Sequence, residues 1–170
     1  MELRAGSLVL RPWREEDAPA VYAACQDAEI QHWIPVIPRP YTHDDALAFV
    51  TGGVGLGPHQ FAIVEDGHVV GSIGMVVGDN DSGHIGYWCA AHARGRGIAS
   101  RALRLLCEHA LDQIGVQRLE LIADPDNHRS QRVAEAVGFR REGVLRSHVS
   151  HPDGRRRDSV IYSLLPGELR

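Results

Sequence analysis

The sequence predicts a single mixed α/β domain over residues 1–170, on three observations. Its 170 residues make about one domain's worth of chain. A composition of 44% hydrophobic and 24% charged residues is that of an ordinary globular protein, which excludes disordered and fibrous classes. Hairpin signals in the first half give way to a strand–helix–strand–helix succession in the second. All 18 basic residues are arginine, with no lysine anywhere, as a GC-rich coding bias produces. Set against 22 acidic residues they leave a net charge of -4, so the strongly basic surface of a nucleic-acid binder is missing and only a local patch stays open.

Leu8-Val9-Leu10-Arg11-Pro12 reads as a short strand ended by its proline, and Arg14-Glu15-Glu16-Asp17 supplies an acidic first turn for a helix to about Cys25. Gln31 to Tyr41 holds three prolines among Trp33, Ile34, Val36 and Ile37, which argues against regular helix and equally against a solvated linker. Asp44 to Val50 is a second short helix, and the glycines from Gly52 to Gly57, with Pro58, break the chain. Strands over Gln60 to Glu65 and His68 to Val77 flank Asp66-Gly67, a favoured two-residue hairpin turn, and His84 to Cys89 is a further strand.

Gly97 to Ile114 is the clearest helix, with Ala99, Leu103, Leu106, Ala110 and Ile114 on one stripe and Gly115 as its cap. Val116 to Ala123 is a strand, and Asp126-Asn127 opens a helix over His128 to Val137 that Gly138 stops. Two strands, about Arg141 to Ser150 and Arg157 to Leu164, flank Pro152-Asp153-Gly154.

The informative segment is Ile85 to Ala99, a strand that passes through Arg94-Gly95-Arg96-Gly97 into the long helix. Free N–H groups of a first helical turn, the helix dipole and residues without side chains make such a turn an anion site, to which Arg94 and Arg96 add two charges. The Walker pattern is absent, and the third glycine and later acidic residue of a dinucleotide fingerprint do not fit.

The pattern Arg-x-x-Gly-x-Ala resembles the coenzyme A pyrophosphate loop of the GNAT superfamily of N-acetyltransferases. Leu8 to Pro12 with Asp17, Ile85-Gly86-Tyr87-Trp88, Asn127-x-x-Ser130, Arg132 to Phe139 and the strand from Asp158 to Leu165 together resemble its ribosomal-protein N-terminal (RimJ/RimL-type) branch. The resemblance implies an α/β (α+β) fold with a mixed, mostly antiparallel sheet of about seven strands flanked by about four helices. It also implies acetyl-CoA as co-substrate, with direct transfer of the acetyl group to a primary amine in a ternary complex.

By the same resemblance, Trp88, Cys89 and Ala90 meet the pantetheine arm and offer a main-chain N–H to the thioester oxygen. Arg94, Gly95, Arg96, Gly97, Ile98 and Ala99 hold the pyrophosphate, and Asn127 and Arg132 join the coenzyme side. Many family members place a tyrosine seven residues after the Asn as the acid for the leaving thiolate. Here that position is Ala134, and the branch points to Ser130 instead.

Imidazole titrates near working pH, so His84, which shares a strand face with Gly86 and Trp88, is the candidate base. An α-amine with a reference pKa of about 7.7–8.0 needs less help from it than a lysine amine. Trp33 and Tyr41 offer flat contact area for an acceptor, with Tyr87 and His148 as further contacts. Asn127 reads equally as a helix cap and Ser130 as a first-turn residue. A covalent relay through Cys89 lacks a base on its own strand face. His148 and His151 with Asp153 fall at a strand end and turn, so no metal is expected.

The expected acceptor is the N-terminal α-amine of a protein or peptide. A small amine (amino acid, polyamine or aminoglycoside) is the alternative, and a non-catalytic coenzyme-binding protein a third reading. Met1 to Arg4 lacks the apolar core of a signal peptide, no run approaches about 18 apolar residues, and three unspaced cysteines suit a reducing compartment. A cytoplasmic protein without membrane or nucleic-acid partners is therefore expected, with a homodimer left open by apolar residues in the terminal strands.

Overall fold

The computed structural model describes residues 1–52 and 57–170; the Gly53 to Leu56 part of the expected glycine break lies outside the described residues. In chain order, β1 (Leu3–Ala5) and β2 (Leu8–Pro12) form a hairpin, and a 3-10 turn (Glu15–Asp17) leads into α1 (Ala18–Cys25), α2 (Ala28–Trp33) and α3 (His43–Val50). The meander β3 (His59–Glu65), β4 (His68–Val77) and β5 (Ser82–Cys89) follows. Then come α4 (Ile98–His109), β6 (Arg118–Ala123), α5 (His128–Val137), β7 (Arg140–Ser150) and β8 (Arg156–Leu164). The sheet order is β1-β2-β3-β4-β5-β6-β8-β7, and every neighbouring pair is antiparallel except β5 and β6.

Two elements exceed the sequence reading. Leu3–Ala5 is an eighth strand, turned back onto Leu8–Leu10 through Gly6 at a φ of 63°. Three residues carry too little alternation to be legible in sequence. Ala28–Trp33 is a fifth helix, so regular helix runs three residues into the segment expected to lack it. Asp27 starts this helix by accepting the Glu29 N–H, and the chain leaves it just before Pro35. The long helix ends as expected at Gly115, with its last turn, Ala110–Ile114, widened to π geometry.

One core lies between the sheet and the pair α4 and α5, built from Leu8, Leu10, Phe61, Ile73, Leu103, Leu119 and Tyr162 among others. A second, smaller cluster gathers Val21, Cys25, Tyr41, Ala46 and Val50 under α1 and α3, with Trp13, Phe49 and Trp88 packed against it. The α1–α3 cluster thus covers the side of β5 that presents Trp88, while Ile85 and Tyr87 pack into or against the main core.

The pairing of β5 and β6 creates the functional space. The strands are in register from Ser82 opposite Arg118 to Ile85 opposite Leu121, and there the pairing ends. β5 stays with β4 to Cys89 and β6 stays with β8 to Ala123, so the two strands part beyond Ile85. Among the described residues, no helix is long and apolar enough to cross a membrane.

Candidate active site

A cleft of about 960 Å³ runs through the parted strands. One wall is Gly86 to Cys89 with the turn into α4; the opposite side is Ile122 to Asp124 with the start of α5; α2 and the chain to Tyr41 close over one end. The volume suits an organic ligand, and most of its lining is apolar with a few polar groups.

The turn into α4 has the conformation that its glycines permit. Gly95 and Gly97 sit at φ of 75° and 71°, and an added Cβ at either would meet nothing within 4 Å. Left-handed backbone, rather than crowding, is what calls for glycine there. Gly97 is the N-cap residue of α4 and offers no side chain to cap it, so the first-turn N–H groups open toward the cleft lined by Gly97, Ile98, Ala99 and Ser100.

The two arginines of this turn part company. Arg96 is exposed and forms no ion pair among the described residues. Arg94 is mostly buried: its guanidinium lies 2.7 Å from Glu29 and also bonds Asp27, both at the start of α2. Glu29 in turn pairs with Arg129 of α5 at 2.7 Å. Burial works against ionisation of Asp27, yet the hydrogen bonds from Glu29 N–H and Arg94 outweigh it and hold the carboxyl below the usual range. Arg132 is exposed on α5, on the cleft lining.

On the α5 side, Asn127 accepts the Ser130 N–H at 3.1 Å and so caps the helix. Ser130 Oγ lies 2.9 Å from the Tyr87 hydroxyl. Burial pushes the Tyr87 phenol up to about 12, against the opposing effect of its Ser130 hydrogen bond. Burial likewise pushes the neighbouring Cys89 thiol up to about 11, which leaves it protonated at neutral pH and removes the thiolate a covalent relay needs. Ala134 is fully buried in the core.

On the other face of β5, His84 is half exposed and lines the cleft. Its Nδ1 is 3.0 Å from Glu120 of β6, its register partner in the parallel pair. The ladder also decides which main-chain groups face the gap. Ser82 C=O accepts the Gly78 N–H and Ala90 N–H donates to Val70, so even-numbered residues of β5 bond toward β4. By the alternation of an antiparallel ladder, Tyr87 and Cys89 direct theirs away from β4, into the space β6 has left. Of the three residues expected at the thioester, Cys89 alone turns its N–H that way.

The remaining expected acceptor contacts divide. Trp33 is half-buried on the lining, and its carbonyl accepts from Arg157 at 3.5 Å, with Arg157 held 2.6 Å from Asp124. Tyr41 also lines the cleft but is 7% exposed, a wall rather than a free surface. His148 lies outside the cleft lining among the described residues, its Nδ1 3.0 Å from Ser159 Oγ on the terminal hairpin. Asp27, Glu29, Arg129, Glu120 and the Arg157–Asp124 pair were not anticipated. A lone charge in the apolar alternation Leu119-Glu120-Leu121, and an Asp-x-Glu helix start before Pro35, were the available signals.

Residues 7–140 match the family described as Acetyltransferase (GNAT) domain. The chain belongs to the GNAT acetyltransferase family. Among relatives of this GNAT protein, YdaF of Bacillus subtilis (strain 168) is 34% identical over 111 residues, 64% of this chain and 60% of its own. The ribosomal-protein-serine acetyltransferase of Escherichia coli (strain K12) is 31% identical over 113 residues, 62% of each chain. The chain thus spans about three fifths of these curated relatives. The structure of Mycobacterium smegmatis RimJ in complex with CoA-disulfide superimposes with a TM-score of 0.85 at 28% identity, covering 99% of this chain and 87% of that one. Residues 7–140 thus carry a GNAT acetyltransferase domain, and no metal-binding cluster occurs among the described residues.

Proposed function

We propose that this GNAT protein transfers the acetyl group of acetyl-CoA to the N-terminal α-amine of a protein or peptide, by direct attack in a ternary complex. The observation that carries the reading is the parting of β5 and β6. It opens one cleft between a face bearing His84 and a face bearing Ser130, with the Cys89 N–H between them. The name of the E. coli relative, a ribosomal-protein-serine acetyltransferase, supports a protein acceptor.

The first-turn N–H groups of α4 receive the pyrophosphate, with Arg96 adding charge; Arg132 lies on the same side. Arg94, engaged with Asp27 and Glu29, acts chiefly by holding α2 beside that turn. The Cys89 N–H stabilises the oxyanion that forms as the amine attacks. His84, oriented by Glu120, takes the amine proton directly or through water. Ser130 donates a hydrogen bond to the departing sulfur, and Asn127 fixes the helix turn that carries it. Trp33 and Tyr41 flank the acceptor. We place this chemistry in one domain over residues 1–170 in the cytoplasm.

The acceptor is tested by incubating the protein with acetyl-CoA and a panel of N-terminal peptides, N-terminally blocked lysine peptides and small amines, with free thiol as readout. Preference for free N-termini is expected. Faster thiol release with a polyamine, amino acid or aminoglycoside would replace the peptide by a small amine, and coenzyme binding without release would overturn catalysis altogether.

A further inference from the structure

Ser130 does not stand alone in the cleft. Tyr87 reaches from β5 so that its phenol oxygen lies 2.9 Å from Ser130 Oγ, with a longer 3.5 Å contact to the Ser130 carbonyl. Both side chains line the cleft. Among the described residues the Tyr87 hydroxyl has no other polar partner, and neither has Ser130 Oγ. The Ser130 N–H is occupied by Asn127, which fixes the turn and leaves only the hydroxyl rotor free.

Two hydroxyls joined by one hydrogen bond share one proton between them, and the direction of that bond decides where the other proton points. A phenol, with a reference pKa near 10, is the better donor of the two. When it donates, the Ser130 O–H turns away from Tyr87 toward the cleft, and accepting a bond strengthens it as a donor in turn. When Ser130 donates instead, its proton is occupied by the phenol and is withdrawn from the cleft.

We propose that Tyr87 is a positioning residue for departure of the coenzyme: its O–H donates to Ser130 Oγ and turns the Ser130 hydroxyl toward the leaving sulfur. This rests on the reading of Ser130 given under the proposed function. As the C–S bond of the tetrahedral adduct breaks, its electron pair passes to sulfur and Ser130 stabilises that charge by a hydrogen bond. The thiolate, with a reference thiol pKa of about 8.5, then takes its proton from solvent. Neither the Tyr87 nor the Ser130 proton is lost, and the amine proton has already gone to His84 or water.

The test is a double-mutant cycle on kcat with Tyr87→Phe, Ser130→Ala and both together, with thermal melting and acetyl-CoA affinity as controls. Tyr87→Phe deletes one oxygen and keeps the ring. It is expected to lower kcat roughly fivefold, the size of one neutral hydrogen bond, with acceptor KM and coenzyme affinity unchanged. In the Ser130→Ala background the same change is expected to cost nothing further, whereas in a Ser130→Thr background, where a hydroxyl is restored, the loss returns. Full kcat for Tyr87→Phe alongside a slowed Ser130→Ala overturns the role of Tyr87 and leaves Ser130 standing. An equal loss in the presence and absence of the Ser130 hydroxyl also overturns it, because Tyr87 then acts elsewhere. An unslowed Ser130→Ala overturns the reading of Ser130 itself, and this inference with it.

Discussion

The two ends of the cleft are built by different means. At the end proposed for the coenzyme, the turn from β5 into α4 is a backbone device, in which two glycines at positive φ and a helix start without a side-chain cap turn N–H groups into the space. At the end proposed for the acceptor, α2 and the chain to Tyr41 are held by side chains from distant elements. Arg94 ties the start of α2 to the turn, Arg129 ties it to α5, and Arg157 reaches the carbonyl at its end. Two arginines one residue apart thus part in direction: Arg96 is exposed at the turn, while Arg94 bonds Asp27 and Glu29 at the start of α2.

Substitutions at each end test that division. The largest effect is expected from His84→Ala, a loss of about 10²-fold in kcat at pH 7 with coenzyme affinity retained. Because an α-amine with a reference pKa of about 7.7–8.0 sheds its proton unaided in alkali, the loss should shrink toward pH 9. Rate measurements across pH check both points, and a loss independent of pH would remove His84 from proton transfer.

Gly97→Val follows. A β-branched residue in left-handed backbone costs about 1–2 kcal/mol, so the turn shifts and acetyl-CoA binding weakens about tenfold by calorimetry. Acceptor KM should hardly move.

Arg94→Gln and Arg96→Gln form the sharpest pair. The former should raise acceptor KM about fivefold while leaving coenzyme affinity near its original value, since it releases α2 rather than a phosphate. The latter should weaken coenzyme binding about threefold, and less at high salt, as for any exposed charge. The reverse pattern in steady-state kinetics and titrations would break the comparison.

The smallest effect is the response of the α2 tether to acid. The folded-state pKa of Asp27 is depressed, so its contribution to stability is present above the ordinary carboxylate value and is lost as pH falls through the lowered one. Melting curves below about pH 4 should therefore flatten toward those of Arg94→Gln, in which the ionised Asp27 has already lost its guanidinium partner.

What the sequence disclosed follows the same division. Helix caps, the Asp66-Gly67 turn, the stripe of α4 and the glycine turn depend on residues within a few positions of one another, and they were legible with their boundaries nearly right. Ser130 and His84 could be placed on elements, but not their partners, because Tyr87 lies 43 positions from Ser130 and Glu120 meets His84 only through a parallel crossover. Arg94 was legible as a charge at a turn and not as the anchor of α2, since α2 itself was hidden by the prolines that follow it. Nor could the place of His148 be read, because the register shift of β7 between Leu145 and Val149 brings it to Ser159 of β8, away from the cleft.

Direct transfer across this cleft is tested most closely by counting products in a single mixing experiment with mass spectrometry. With acetyl-CoA alone, the protein should release no stoichiometric thiol and gain no acetyl group on Cys89. With an N-terminal peptide added, one thiol should appear for each acetylated α-amine. An acetylated Cys89, thiol release that precedes the acceptor, or no transfer to any amine would contradict the account.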